Sequence, residues 1–161
     1  MFGTRESDTD AVSLLKADHR EVEDLFKQYE SQKDEHSTAK VKTAQLICAA
    51  LTAHAAVEEE IFYPTVRKAL KDAGKELLDE AAVEHQSLKD IIGRLDAAPA
   101  KDPLYDAGVK VLQEYVKHHV KEEEAELFPK VRASDLDLEE LGKQISVRKE
   151  QLLRKPPRKA A

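Results

Sequence analysis

The sequence has little of what builds disulfide-bonded, secreted or membrane-spanning proteins. Cys48 is its only cysteine, so an intrachain disulfide is impossible and a reducing compartment fits. No apolar run approaches the roughly 18 residues of a membrane span. The polar stretch 1–10 lacks the apolar centre of a signal peptide. We therefore expect a cytoplasmic protein with no membrane partner.

Glycine and proline are also scarce, at 5 and 6 of 161 residues, while alanine, leucine, lysine and glutamate dominate. This composition favours helices, and no alternating strand pattern competes with them. The net charge of −6 argues against nucleic acid as a partner. The length is that of one domain with a buried core.

Apolar residues at 3–4 spacing predict an all-α fold, an antiparallel up-down-up-down four-helix bundle over residues 10–131. Gly74 is expected to end the second helix, and Pro64 to bend it. The apolar stripe of the fourth helix is predicted to run through Leu104, Val111 and Tyr115. The predicted helices span about residues 10–32, 38–71, 76–96 and 103–131.

The segments outside the bundle are predicted from their polarity and spacing. Residues 1–9 indicate a flexible leader, and residues 155–161 a basic disordered tail. Between the bundle and the tail, residues 132–154 predict a short fifth helix that starts at about residue 135 and packs on or beside the bundle.

Against this plain background, one motif occurs twice. His54 precedes Glu58 by four residues, and an aromatic residue with a proline follows; His119 precedes Glu123 in the same way. Residues i and i+4 lie on one face of a helix, about 6 Å apart along its axis. Each segment can therefore aim an imidazole and a carboxylate in one direction, as a pair of metal ligands.

The repeat extends to the preceding helices. His19 lies 35 residues before His54, His85 lies 34 residues before His119, and both stand in the pattern acid, His, two polar residues, aliphatic residue. The chain is thus two copies of one helix-pair unit. Of the adjacent His118 and His119, only His119 matches His54 in register; we expect His118 to be exposed or to support a ligand.

Single histidines on apolar stripes are usually hydrogen-bonded core residues, so the metal interpretation needs all of the candidates together. Leaving one buried polar group unpaired costs about 1–3 kcal/mol, and a small domain is stable by only about 5–15 kcal/mol. Six such groups need compensation, which metal ions provide. The predicted metal ligands are His19, His54, Glu58, His85, His119 and Glu123.

The acidic neighbours of these residues have plainer explanations. Glu59 and Glu124 are expected on a solvated helix face, together with Glu60, Glu122 and Glu126. Asp18 and Glu84 each precede a candidate ligand. They either accept the N–H of a ligand histidine on a neighbouring helix, as such histidines require, or are merely exposed.

Imidazole and carboxylate without thiolate suit iron, manganese or zinc. Two carboxylates among four imidazoles favour two ions bridged by Glu58 and Glu123 over one tetrahedral zinc. The sequence contains no His-Glu-x-x-His zinc-protease motif. It also has no Glu-x-x-His, which ferritin-like di-iron bundles carry on two helices.

These duplicated motifs resemble the hemerythrin-like (HHE cation-binding) family over about residues 10–131. The resemblance implies two non-haem iron ions with a bridging oxo or hydroxo group inside a four-helix bundle. By this resemblance His19 and His54 hold one iron, and His85 and His119 hold the other. Glu58 and Glu123 bridge them.

The sequence departs from the oxygen-carrying members of that family. Ala81 stands where they have a fifth histidine, and the second bridge is Glu123, four residues after its histidine, instead of an aspartate five residues after it. Reaction with oxygen, peroxide or nitric oxide is therefore favoured over reversible oxygen carriage. Tyr115 is expected to be a packed aromatic residue, or to fill or adjoin a vacant metal position.

Three functions follow from these patterns. The first is a di-iron protein that reacts with or senses a small diatomic ligand or peroxide, or that handles iron. The second is a di-iron enzyme of peroxide disproportionation or iron oxidation. The third is a metal-free helical interaction module. The sequence does not name a protein partner.

Overall fold

The structure is a computed structural model that describes residues 7–34 and 36–154, and all regular structure in these two ranges is helical. Three of its five long helices are simple α-helices: α1 (Ala11–Ser31), α3 (Asp72–Ala97) and α5 (Leu138–Leu153). The other two are interrupted by a π-helical turn. Helix α2 comprises Thr38–Val57, the π turn Glu58–Phe62 and Tyr63–Leu70. Helix α4 comprises Tyr105–Glu122, the π turn Glu123–Leu127 and Phe128–Arg132.

Helices α1 to α4 form the predicted antiparallel four-helix bundle, so the fold class is confirmed. Helix α5 packs mainly across α1 and α2. None of the helices in the described ranges is long and apolar enough to cross a membrane. Residues 1–6 of the expected leader and the expected tail 155–161 lie outside the described residues.

Side chains at the helix starts explain where the helices begin. The Asp10 carboxylate accepts the Ser13 N–H at 2.8 Å, and Ser37 accepts the Lys40 N–H at 3.1 Å. These N-caps satisfy donors that have no partner within the helix. Asp137 caps α5 in the same way, so this helix starts at Leu138, three residues later than predicted.

The prediction that Gly74 ends the second helix is wrong. The break lies at Lys71, whose φ of 51° is in the left-handed region, and α3 begins at the next residue. Gly74 lies in the first turn of α3. A Cβ there would come within 2.9 Å of the Leu70 Cβ, so glycine permits the tight reversal from α2 into α3.

The apolar stripe predicted for the fourth helix is also wrong in register. Leu104 is 73% exposed, Val111 41% and Tyr115 51%. A helix turns 100° per residue, so each step of four residues adds 40° beyond a full turn. Tyr115 and Val111, four and eight residues before His119, therefore lie progressively farther from its face. The buried stripe instead runs through Tyr105, Val109, Leu112 and Val116.

Two apolar clusters fill the bundle on either side of the histidines. The first cluster surrounds Phe62 and Phe128 and includes Leu141 and Ile145 of α5. The second surrounds Phe26, Ile47 and Leu112 at the other end of the bundle. The predicted metal ligands therefore lie in a polar layer between two dry layers.

Candidate metal centre

The bundle interior brings the six predicted ligands together. One comes from α1, two from α2, one from α3 and two from α4, and none is more than 6% exposed. Glu58 is completely buried. A fully buried carboxylate is costly unless a cation or several hydrogen bonds compensate it.

The six residues form two donor groups that share one carboxylate. The first comprises His19, His54, Glu58 and Glu123, and the second comprises Glu58, His85 and His119. Within each group one potential ligand atom per residue lies within 4.8 Å of all the others. The division of the four histidines into two pairs is that of the two-ion assignment, but Glu123, which that assignment makes a second bridge, belongs only to the first group. That metal binds there stays a prediction.

The Nε2 atoms face the middle of the bundle. His19 Nε2 lies 3.1 Å from one oxygen of Glu123, and His119 Nε2 lies 3.4 Å from the other. His85 Nε2 and His119 Nε2 are 3.2 Å apart, and His54 Nε2 adjoins Glu58 Oε1. Lone-pair atoms thus converge on one another, as they do around a cation.

The Nδ1 atoms face outward, and each has a carboxylate beside it. His54 Nδ1 donates to Asp18 at 2.9 Å, and His119 Nδ1 donates to Glu84 at 3.2 Å. Asp18 and Glu84 therefore accept hydrogen bonds from candidate ligand histidines on neighbouring helices, which is the first of the two alternatives predicted for them. Such acceptors fix the tautomer that leaves Nε2 free to bind metal.

Glu59 is exposed and Glu124 is partly exposed, as expected of a solvated helix face, but both also lie near candidate ligand histidines. Glu124 lies 3.6 Å from His19 Nδ1, and Glu59 lies 3.5 Å from His85 Nδ1. Each follows a candidate bridging glutamate by one residue, at the start of a π turn. Helical periodicity within one segment does not predict these contacts, because each joins side chains of two different helices.

The π turns explain how the bridging carboxylates are held. Glu58 and Glu123 are the first residues of the two π turns, and Pro64 and Pro129 follow directly after the first residue of the next α segment. A proline lacks the N–H that an α-helix needs and clashes with the carbonyl four residues before it. A wider turn accommodates both defects, and such turns are frequent at functional sites.

Tyr63 is the site residue that the sequence analysis missed. It is 7% exposed, and its hydroxyl donates to Glu123 at 2.5 Å. The same oxygen lies 3.3 Å from His85 Nε2 and 3.4 Å from His119 Nε2. Comparison of the two repeats could have identified Tyr63. The equivalent residue of the second repeat is Phe128, so the two positions differ by one hydroxyl group.

Both expectations for Tyr115 are wrong, because this residue is half-exposed on the outer face of α4 and neither packs in the core nor adjoins the centre. His118 is exposed, as one alternative expected. Its Nε2 lies 3.5 Å from Glu84 and 3.5 Å from Glu122. Glu84 thereby connects a surface histidine to the buried His119.

Charge inside the centre shifts several pKa values strongly. Burial lowers the pKa of His54, but the charge of Glu58 and the hydrogen bond to Asp18 outweigh it and raise the pKa to about 10. Burial on its own raises the pKa of Glu123, but the neighbouring imidazoles of His119 and His19 outweigh it and hold this pKa well below its usual value. For His85 burial prevails, helped by the neighbouring His119, and its pKa is lowered.

Buried atoms without hydrogen bonds test whether cations fit here. Both oxygens of Glu58, Glu123 Oε1, His54 Nε2 and His19 Nε2 make no hydrogen bond to any described residue. All are atoms of the predicted ligands that face the interior. Such atoms cost about 1–3 kcal/mol each, so the donor set fits two bound cations better than an uncharged core.

Comparison with known proteins points the same way. The family model described as "Hemerythrin HHE cation binding domain" matches residues 10–131. A crystal structure of a hemerythrin HHE cation-binding domain-containing protein from Mycobacterium kansasii, a homologue of Rv2633c, superposes with a TM-score of 0.75 at 25% identity. That match covers 89% of this chain and 86% of the other.

Curated relatives are similar over most of this chain. The "Uncharacterized protein Rv2633c" of Mycobacterium tuberculosis is 32% identical over 109 residues, 66% of this chain and 65% of that protein. A protein of Nostoc named "DNA nickase" is 29% identical over 131 residues, 81% of this chain. The chain spans only 36% of that nickase, so the name describes a protein that is mostly outside the match.

Proposed function

The chain belongs to the hemerythrin HHE cation-binding family, and on that premise we propose that it is a non-haem di-iron protein that reacts with or senses dioxygen, nitric oxide or peroxide. The observation that carries the proposal is the pair of buried donor groups joined by Glu58. Two groups with a shared carboxylate suit two ions held close together.

In this proposal each donor group holds one iron ion. His19 and His54 bind the first ion, and His85 and His119 bind the second. Glu58 and Glu123 bridge the pair, together with an oxo or hydroxo group. The hydroxyl of Tyr63 lies beside the imidazoles of His85 and His119, so its oxygen is a further candidate ligand of the second ion.

The donor chemistry supports iron over softer alternatives. Imidazole and carboxylate are ligands of iron, manganese and zinc, whereas thiolate is absent from both donor groups. Cys48 lies in the second apolar cluster, and burial, with the nearby Asp96 charge, raises the pKa of its thiol to about 12. This thiol is therefore inert at neutral pH.

The surrounding residues prepare the centre for such chemistry. When bound, the iron pair supplies electrons to a small oxidant. Asp18 and Glu84 hold His54 and His119 with Nε2 turned inward. Phe62 and Phe128 close the end of the centre that lies toward the first apolar cluster and exclude water there.

A catalytic role is the second candidate, and Tyr63 favours it. Peroxide disproportionation consumes and returns protons, and the Tyr63 hydroxyl is a buried proton donor among the ligands. Burial and the charges of Glu58 and Glu123 raise its pKa well above 10, so it keeps its proton at neutral pH. This candidate shares the di-iron centre with the first.

Peroxide kinetics separate the two. Steady turnover of hydrogen peroxide by the iron-loaded protein, abolished by Glu58→Ala, supports the enzyme. A single stoichiometric oxidation that then stops supports the reactive or sensing protein. The absence of any reaction with peroxide, dioxygen or nitric oxide in iron-loaded protein contradicts both.

A metal-free interaction module is the weakest of the three, because the centre contains several buried atoms without hydrogen bonds. A module of this kind predicts that removal of metal with a chelator leaves the free energy of unfolding unchanged. The di-iron proposal predicts a clear loss, since ligands that bind only the folded state stabilise it by mass action.

A further inference from the structure

A chamber lies beside the four histidines, on the side away from Glu58. Its volume is about 330 Å³, and all four histidines contribute to its wall. Much of the remaining wall comes from apolar residues of the second cluster. These residues are Val22, Leu51, Leu88, Ile92 and Val116.

The chamber opens to solvent between α2 and α3. Thr52 and Ala55 lie on the α2 lip, whereas Lys89, Gly93 and Asp96 lie on the α3 lip. Thr52 and Gly93 are exposed, whereas Leu51 and Ile92 next to them are 7% exposed. The charged groups are thus confined to the rim and to Asp18, which His54 and Lys149 already bind.

Gly93 is unusual because nothing in the packing requires a glycine there. A Cβ built on Gly93 meets no atom within 4 Å, whereas one built on Gly108 comes within 3.0 Å of Leu95 and one on Gly142 within 2.3 Å of the Thr9 carbonyl oxygen. Glycine also weakens a helix interior relative to alanine. Gly93 is thus an open position on the lip, where a large side chain would narrow the mouth.

The size of the chamber decides what it holds. A cavity of about 150 Å³ lined by apolar side chains is enough to bind benzene, so a diatomic gas alone leaves most of 330 Å³ empty. An apolar wall disfavours ions and strongly polar molecules. The lining therefore fits one neutral organic molecule built around a single ring or a short alkyl chain.

We propose that this chamber is a binding site for a neutral, apolar organic molecule of about the size of a substituted benzene, admitted at the lip formed by Gly93 and Thr52. The bound molecule lies against the imidazoles of His19, His54, His85 and His119. Its role as a co-substrate or modulator of the centre rests on the proposed function; the binding itself does not require metal.

Toluene is a suitable probe, measured by calorimetry and by the thermal midpoint of unfolding of the full chain. We expect saturable binding of one toluene per chain and a rise of about 3 °C in the midpoint at concentrations well above Kd. In methyl NMR spectra, the shifted resonances are expected to be those of Leu88, Ile92 and Val116. The titration is run on chelator-treated and on iron-loaded protein, so a failure to bind iron leaves the result on the chamber readable.

Variants at the two lips test the route. Gly93→Trp and Thr52→Trp add a large side chain at exposed positions, so both are expected to fold and to weaken toluene binding at least tenfold. Gly93→Ala and Val83→Trp are the matched controls and are expected to bind as the native protein does. Val83 is 69% exposed on α3 and does not line the chamber.

Either of two results overturns the proposal. The first is the absence of saturable toluene binding to native protein in both metal states. The second is unchanged binding in both tryptophan variants. If Gly93→Trp fails to fold, the Thr52→Trp variant decides.

Discussion

The two halves of the centre have the same histidine frame but different surroundings. On the first half, Asp18 accepts from His54 and is itself bound by Lys149 of α5. On the second half, Glu84 accepts from His119 but also contacts the exposed His118. Helix α5 packs mainly on α1 and α2, which carry the histidines of the first half.

The aromatic residues beside the two halves differ as well. The ring of Phe128 stacks on His19 with the planes 5° apart, whereas the ring of Tyr63 is tilted by 46° on His85. Only Tyr63 carries a hydroxyl, and this hydroxyl reaches ligands of the second half. The duplicated sequence thus supplies two similar donor sets, and the differences between the repeats make the two proposed metal positions chemically distinct.

The largest expected effect is that of Glu58→Gln, which removes the carboxylate shared by both halves of the centre. Glu58 belongs to both donor groups and is fully buried, so the variant should lose both ions while its volume is preserved. Metal analysis of the purified variant measures this. Glu60→Gln, two residues away and paired with Arg148 at the surface, is the control and should keep both ions. Retention of one ion by Glu58→Gln contradicts a shared bridge.

Asp18→Asn and Glu84→Gln compare the outer acceptors of the two halves. Loss of such an acceptor weakens metal binding by about 10–100-fold. We expect the larger loss for Asp18→Asn, because the 2.9 Å bond to His54 is shorter and Asp18 is the more buried acid. Competitive metal titration gives the affinity of each position. Equal losses in the two variants contradict the inequivalence of the halves.

Tyr63→Phe makes the second half resemble the first. The phenol bond to the buried Glu123 carboxylate contributes about 1.5–3 kcal/mol. Its removal should weaken both metal positions, because Glu123 is the proposed bridge, and the second position more, because the hydroxyl also adjoins His85 and His119. Stepwise metal titration and the absorption spectrum of the iron-loaded protein follow the two positions. Phe128→Tyr, the reciprocal change, tests whether a hydroxyl beside His19 alters the first position instead. A Tyr63→Phe variant with native spectrum and affinities removes Tyr63 from the account.

The pH dependence of chelator-treated protein sharpens the same contrast. The pKa of His54 rises from 6.5 to about 10 on folding, so its stabilisation is complete below pH 6.5 and is lost as the pH rises toward 10. The pKa of His85 is lowered instead, so this residue destabilises the fold only as the pH falls below 6.5. Denaturant unfolding should give a free energy that falls by roughly 4 kcal/mol between pH 6.5 and 10. In Asp18→Asn, which lacks one partner of His54, this fall should be smaller; a stability that rises over that interval contradicts the assignment.

The sequence predicts the bundle and the six converging residues because both depend on local periodicity. His54 and Glu58 share a helix face by their spacing alone, and the duplication singles out His119 over His118. Contacts between distant segments leave no such periodic trace. The contact of Lys149 with Asp18 and the left-handed conformation of Lys71 are set by tertiary packing. The buried face of α4 was mispredicted because a 3–4 spacing rule accepts residues that lie 40° or more from that face. Tyr63 is the exception, since comparison of the two repeats contains its signal.

The decisive test of the di-iron proposal is metal analysis of protein purified from iron-replete cells, combined with its absorption spectrum. We expect two irons per chain and near-ultraviolet bands of a bridged pair. A single tightly bound zinc, or no metal in folded protein, contradicts it.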